Sequence, residues 1–162
     1  MSITFNADEI YRMAEQIEEN GIRFYKTAAE KASAESVQNM LLNLAEMEAA
    51  HERTFAAMRE QLNPSEQMPD DIDADDEGLQ YLQAAVEGKV FDLGKDPAEQ
   101  IGADTSLDEI LRRAVGLEHD SIAFYTGMKQ MMQSAADMQK VDHIIGQEMG
   151  HVTMLTSLMP ES

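Results

Sequence analysis

Two stretches decide how this chain folds. The first is Glu18-Glu19-Asn20-Gly21-Ile22-Arg23-Phe24-Tyr25, with Glu48-Ala49-Ala50-His51 thirty residues after Glu18. The second is Glu118-His119-Asp120-Ser121-Ile122-Ala123-Phe124-Tyr125, with Glu148-Met149-Gly150-His151 thirty residues after Glu118. The second repeats the first at an offset of 100 residues, with Glu, Ile, Phe, Tyr, Glu and His in register. One Glu-x-x-His is common by chance in an acidic helix. Two copies, each with a glutamate at the same distance upstream, point to a duplicated unit. Each copy reads as one helical hairpin, and the offset implies two hairpins related by a pseudo-twofold axis.

Working outward from these motifs, the sequence predicts four long helices. The first spans about Asn6 to Ala32, where Asn6 and Glu9 form a capping-box pattern. The second spans about Ala34 to Leu62 and stops before Asn63-Pro64. The third starts near Ser106, with Ser106 and Glu109 as a second capping box, and runs to about Gln133. The fourth runs from about Ala135 to Met159, with Pro160 ending it. The links around Ser33 and Ser134 are short, as antiparallel hairpins require. Asn63 to Thr105 carries Pro64, Pro69, Gly78, Gly88, Gly94, Pro97 and Gly102 and reads as a crossover, with a short helix over Asp76 to Glu87. The expected fold is all-α: a ferritin-like four-helix bundle of two hairpins joined by a long crossover. We expect one domain over residues 1–162, with hairpins at about 6–62 and 106–159 and the crossover at about 63–105.

Helical spacing puts Glu48 with His51, and Glu148 with His151, on one face each. Their neighbours at that spacing are apolar. Leu41, Leu44, Ala45 and Phe55 surround Glu48, and Val141, Ile144, Ile145 and Leu155 surround Glu148. Tyr11, Ala14, Ile22, Tyr25 and Ala29 flank Glu18, with Glu15 and Glu19 as competing acids. Leu111, Ala114, Val115, Ile122 and Tyr125 flank Glu118. Each glutamate therefore interrupts a core stripe. Unpaired buried carboxylates cost several kcal/mol each and repel one another. Two divalent cations cancel the charge of four carboxylates, and neutral imidazoles complete the ligand set. One Glu from each of two helices plus Glu-x-x-His from each of the other two is a di-iron ligand set. The candidate metal ligands are Glu18, Glu48, His51, Glu118, Glu148 and His151, holding two iron ions, with manganese or zinc as other occupants. Tyr25 and Tyr125 lie two turns beyond Glu18 and Glu118 and are candidates to hydrogen-bond a ligand carboxylate.

Composition narrows the chemistry further. Net charge is −19, which disfavours nucleic acid and anionic lipid as partners and attracts cations. The chain has no cysteine, excluding disulfides, thiol catalysis and Cys-ligated metal, and fitting a cytoplasmic location. No window reaches the roughly 20 apolar residues of a membrane span, and Met1 to Ile10 does not read as a signal peptide. The acidic run Asp70 to Glu77 lacks the glycine and closing glutamate of a calcium loop and reads as solvated. His119 and His143 fall outside the repeat and read as surface or packing residues. The 13 methionines are mostly core filler, although Met47 and Met149 flank proposed ligands and are exposed to oxidation there.

The stretches Glu18 to Tyr25 and Leu44 to His51, and again Glu118 to Tyr125 with Glu148 to His151, resemble the rubrerythrin-type branch of the ferritin-like superfamily. The resemblance covers both hairpins. It implies a di-iron centre, held by the six residues named above, that reacts with dioxygen or hydrogen peroxide. Two departures stand out. Rubrerythrins proper carry a Cys-ligated rubredoxin domain, and this chain has no Cys. They also place an extra Glu where this chain has Ser121. Three functions are open on this reading. The first is an oxidoreductase reducing peroxide or dioxygen with an external electron donor. The second is a ferroxidase for iron storage or delivery. The third is a metal-stapled interaction module without turnover. A homodimer or larger homo-oligomer is expected, its hairpins drawn from one chain or swapped between partners.

Overall fold

The structure, a computed structural model, describes residues 6–62, 77–87 and 95–159. Helix α1 (Ala7–Lys31) and α2 (Glu35–Glu60) form the first hairpin; α4 (Leu107–Gln130) and α5 (Ala135–Leu158) form the second. Between them, α3 (Glu77–Glu87) lies on α4, and a 3-10 turn (Pro97–Gln100) lies on α1. The two hairpins meet chiefly through α1 against α4 and α2 against α5. Most of the acidic run Asp70 to Glu77 lies outside the described residues; Glu77 opens α3.

Capping chemistry sets the helix ends. The Asn6 side chain accepts from the Glu9 amide at 2.8 Å, and the Asn6 amide donates to the Glu9 carboxylate at 3.1 Å, so the first capping box is complete. The second is only half formed. Ser106 accepts from the Glu109 amide at 3.2 Å, but the Glu109 carboxylate turns to Arg113 one turn on. A charged partner within the helix outcompetes the neutral backbone amide of the cap. Ser134 caps α5 by accepting from the Asp137 amide.

The core divides into two apolar clusters, and the 100-residue offset exchanges them. One contains Ile10, Tyr11, Ala14 and Phe55 of the first hairpin with Phe124, Tyr125, Val141 and Ile144 of the second. The other contains Ile110, Leu111, Ala114 and Leu155 of the second hairpin with Phe24, Tyr25, Leu41 and Leu44 of the first. Adding or subtracting 100 turns one set of positions into the other. The pseudo-twofold axis therefore runs between the clusters, through the level of the buried glutamates. The crossover breaks the symmetry: α3 adds Leu82 and Ala85 to one cluster, while Ile101 joins the other.

Polar links pin the crossover and the hairpins. Arg23 donates to Asp96 at 2.8 Å, Asp96 caps the 3-10 turn, and Arg113 donates to the Gln100 carbonyl at 2.9 Å. Arg59 of α2 bridges Asp8 and Glu15 of α1, at 2.7 and 2.9 Å. These pairs are solvated and each contributes at most about 1 kcal/mol; the apolar clusters supply the larger share. No described helix is long and apolar enough to cross a membrane.

Candidate metal centre

The six residues singled out in the sequence converge between the two clusters. Glu18 comes from α1, Glu48 and His51 from α2, Glu118 from α4, and Glu148 and His151 from α5. All six are buried, with Glu18, Glu148 and His151 fully inaccessible. Glu15 and Glu19, the competitors of Glu18, are only half-buried, and Glu15 is engaged by Arg59. His119 and His143 are exposed.

Ligand-capable atoms fall into two overlapping groups. Glu18, Glu48, His51 and Glu148 each offer one atom within 4.8 Å of the others; so do Glu48, Glu118, Glu148 and His151. Glu48 and Glu148 belong to both. The pseudo-twofold again exchanges the groups: 18 with 118, 51 with 151, 48 with 148. The arrangement offers two cation positions, with Glu48 and Glu148 as shared carboxylates and one Glu and one His on each outer side. Both imidazoles turn Nδ1 inward. His51 Nδ1 lies 3.6 Å from Glu18 and 3.4 Å from Glu148. His151 Nδ1 lies 2.8 Å from Glu148, 2.9 Å from Glu48 and 3.4 Å from Glu118. The rings stack with centroids 5.7 Å apart.

The donor set passes a direct test of fit. Among the described residues, the buried side-chain nitrogen and oxygen atoms without a hydrogen-bond partner all belong to these six residues. They include Glu18 Oε2, Glu118 Oε2, both oxygens of Glu148, and Nδ1 of both histidines. Some of these atoms lie within hydrogen-bond distance of one another, so it is direction that fails: lone pairs face a common centre. A buried polar atom left alone costs about 1–3 kcal/mol. A cation at the centre satisfies them together.

Protons take up part of that role in the metal-free protein. Burial, then repulsion from Glu48 and Glu148, raises the Glu18 carboxyl well above the usual carboxylate range. Burial raises Glu118 likewise, against the opposing pull of His151. Burial also acts to raise Glu148, but the two imidazoles outweigh it and hold this carboxyl low. Burial alone would lower His151; Glu118, Glu148 and Glu48 push it up to about 12. His51 is raised for the same reason, chiefly by Glu148.

Each tyrosine reaches across the bundle. Tyr25 donates to Glu118 Oε1, and Tyr125 donates to Glu18 Oε1. The sequence placed each tyrosine on the face of its own hairpin's glutamate; the structure pairs it with the glutamate of the other hairpin, and the pseudo-twofold relates the two pairings. Burial and the adjacent carboxylate raise both phenols, so they stay protonated donors. Small residues make room beside the shared carboxylates. A Cβ on Gly21 would come within 3.3 Å of Glu48 Oε2. Its counterpart Ser121 is buried, and its hydroxyl donates to the Leu117 carbonyl at 3.0 Å, so it adds no ligand.

The family model for rubrerythrin matches residues 9–159, spanning both hairpins and the crossover. The chain belongs to the rubrerythrin family. A solved structure from Thermotoga maritima, described as a ferritin-like diiron-carboxylate protein, superposes with a TM-score of 0.69 at 23% identity, covering 98% of this chain and 97% of that one. The likeness shows that this rubrerythrin-family chain has the ferritin-like bundle fold. No curated protein matches the sequence.

One feature of this rubrerythrin-family site escaped the sequence. Gln147 Oε1 accepts from His51 Nε2 at 2.8 Å, linking α5 to α2 behind a candidate ligand. The signal was present in the register: position 147 is Gln where position 47 is Met.

Proposed function

We propose that this protein binds two iron ions at Glu18, Glu48, His51, Glu118, Glu148 and His151, and reduces hydrogen peroxide or dioxygen there. The observation that carries the reading is that the orphaned buried atoms among the described residues all belong to these six residues, and that the six converge in two overlapping groups able to hold a cation. The ferrous ions would supply Lewis acidity and the electrons; reduction of a peroxide to two waters consumes a pair of electrons and a pair of protons. Glu48 and Glu148 would hold both cations, while Glu18 with His51, and Glu118 with His151, would each hold one. Tyr25 and Tyr125 orient Glu118 and Glu18 and keep their own protons. The flanking apolar clusters exclude bulk water, which strengthens every charge interaction inside. The chain has no cysteine to hold an electron-transferring iron of its own; an external electron donor would supply the electrons for turnover.

Ferroxidase activity in iron handling is the second reading. The net charge of −19 favours it, because such a field concentrates cations near the surface. The test is anaerobic titration of the apoprotein with ferrous iron, metal analysis, then stopped-flow challenge with peroxide and with dioxygen. We expect two irons per chain and oxidation by peroxide faster than that of free iron. Absence of binding, or oxidation no faster than free iron, overturns the proposal. Faster reaction with dioxygen than with peroxide, together with further iron uptake after oxidation, supports the ferroxidase instead.

A further inference from the structure

The pseudo-twofold makes the two outer ligand sets equivalent in residue type: Glu18 with His51, Glu118 with His151. Their surroundings are not equivalent. His51 Nε2 lies 2.8 Å from Gln147 Oε1, an amide oxygen on the opposite hairpin. A carbonyl oxygen only accepts, so this contact holds a proton on Nε2 and keeps Nδ1 turned toward Glu18 and Glu148, the side on which a cation would bind. His151 has no such support. Its Nε2 is buried without a hydrogen-bond partner, and the residue is fully inaccessible. The position equivalent to Gln147 is Met47, whose thioether is a weak acceptor.

A partner on the far nitrogen of a ligating imidazole fixes the tautomer and the ring plane. Its loss typically costs 10–100-fold in metal affinity. We infer that Gln147 is a positioning residue that makes the two cation positions unequal, so that the Glu18–His51 position fills first and the Glu118–His151 position is the exchangeable one. The inference rests on the dinuclear reading of the site and specifies the order within it.

The experiment uses the full-length apoprotein and Co(II) alone, titrated anaerobically and followed by visible absorption and calorimetry. The wild type should take up two Co(II) in two resolved steps. Gln147→Leu should weaken the tighter step about 10–100-fold and leave the weaker step essentially unchanged. Gln147→Glu, which keeps an acceptor oxygen, should preserve the tighter step. Met47→Gln should strengthen the weaker step and narrow the gap. Uptake of two Co(II) in equivalent steps by the wild type, or equal weakening of both steps by Gln147→Leu, overturns the inference and leaves the dinuclear site standing. Uptake of fewer than two Co(II) by the wild type overturns the dinuclear site as well.

Discussion

Raising the pH should destabilise the metal-free bundle and leave the metal-loaded one nearly unaffected. His151 is buried among three carboxylates that push its pKa up to about 12, far above an ordinary histidine. Below the ordinary histidine value of about 6.5, folded and unfolded chains both hold that proton and its contribution to stability is fully present. Above it, the unfolded chain releases the proton and the folded chain keeps it, so stability falls as pH rises. One retained proton gives a slope of about 1.4 kcal/mol per pH unit, or about 2 kcal/mol between pH 7 and about pH 8.5. His51, Glu18 and Glu118 are also raised and act in the same direction. Glu148 is held low, so its contribution is lost only on acidification below the ordinary carboxylate range and stays constant in this window. Urea unfolding by far-ultraviolet circular dichroism, at constant ionic strength with a chelator present, measures the slope. Repeating it with saturating Mn(II) or Co(II) should abolish the slope, since the cations displace the same protons, and apparent metal affinity should rise with pH. Metal-free stability that is flat or rising across the window would refute the idea that protons hold these carboxylates together.

Three further outcomes are expected. Tyr25→Phe and Tyr125→Phe should each cost about 1–3 kcal/mol in urea unfolding, because each leaves a buried carboxyl oxygen without its donor; a loss below about 0.5 kcal/mol for both would contradict the cross-hairpin bonds. Glu148→Gln should weaken binding of both cations, whereas Glu118→Gln should weaken one, since Glu148, unlike Glu118, belongs to both ligand groups; Co(II) titration separates the cases, and equal effects would argue against shared carboxylates. Leu82→Ala should cost about 2–5 kcal/mol, the range for emptying a core position; a negligible change in thermal unfolding would mean that α3 contributes nothing to the bundle core.

The parts of this molecule that were legible in the sequence are those set by local periodicity. Glu48 and His51 share a face because three residues separate them, whatever else the chain does. Asn6 and Glu9 close a capping box because both partners lie within one turn. The repeat carried the convergence of the six buried residues, since duplication places two copies of one constellation in register. Features that depend on how the hairpins meet were out of reach. Helical spacing places Tyr25 above Glu18; only the antiparallel approach of α1 and α4 delivers its hydroxyl to Glu118. The same holds for Gln147, which reaches His51 across the α2–α5 contact. The second capping box failed for a local reason. Arg113, four residues beyond Glu109, offers the carboxylate a charged partner that the motif alone does not weigh. The 3-10 turn at Pro97–Gln100 was hidden within a crossover read as irregular, although Asp96-Pro97 is a reasonable start signal.

The symmetry of the core frames the acidic centre. Two apolar clusters built from matching positions of the repeat flank the buried carboxylates. The centre itself needs only enough positive charge to quiet four acids. In the metal-free state, protons on the raised carboxyls and the two imidazoles supply it; on loading, cations replace them. What distinguishes the two cation positions then lies outside the repeat, where duplication no longer dictates the residue. Gln147 against Met47 is such a difference, and so is Gly21, beside Glu48, against Ser121. The repeat sets what the centre can hold, and the residues that depart from it set how the two positions differ.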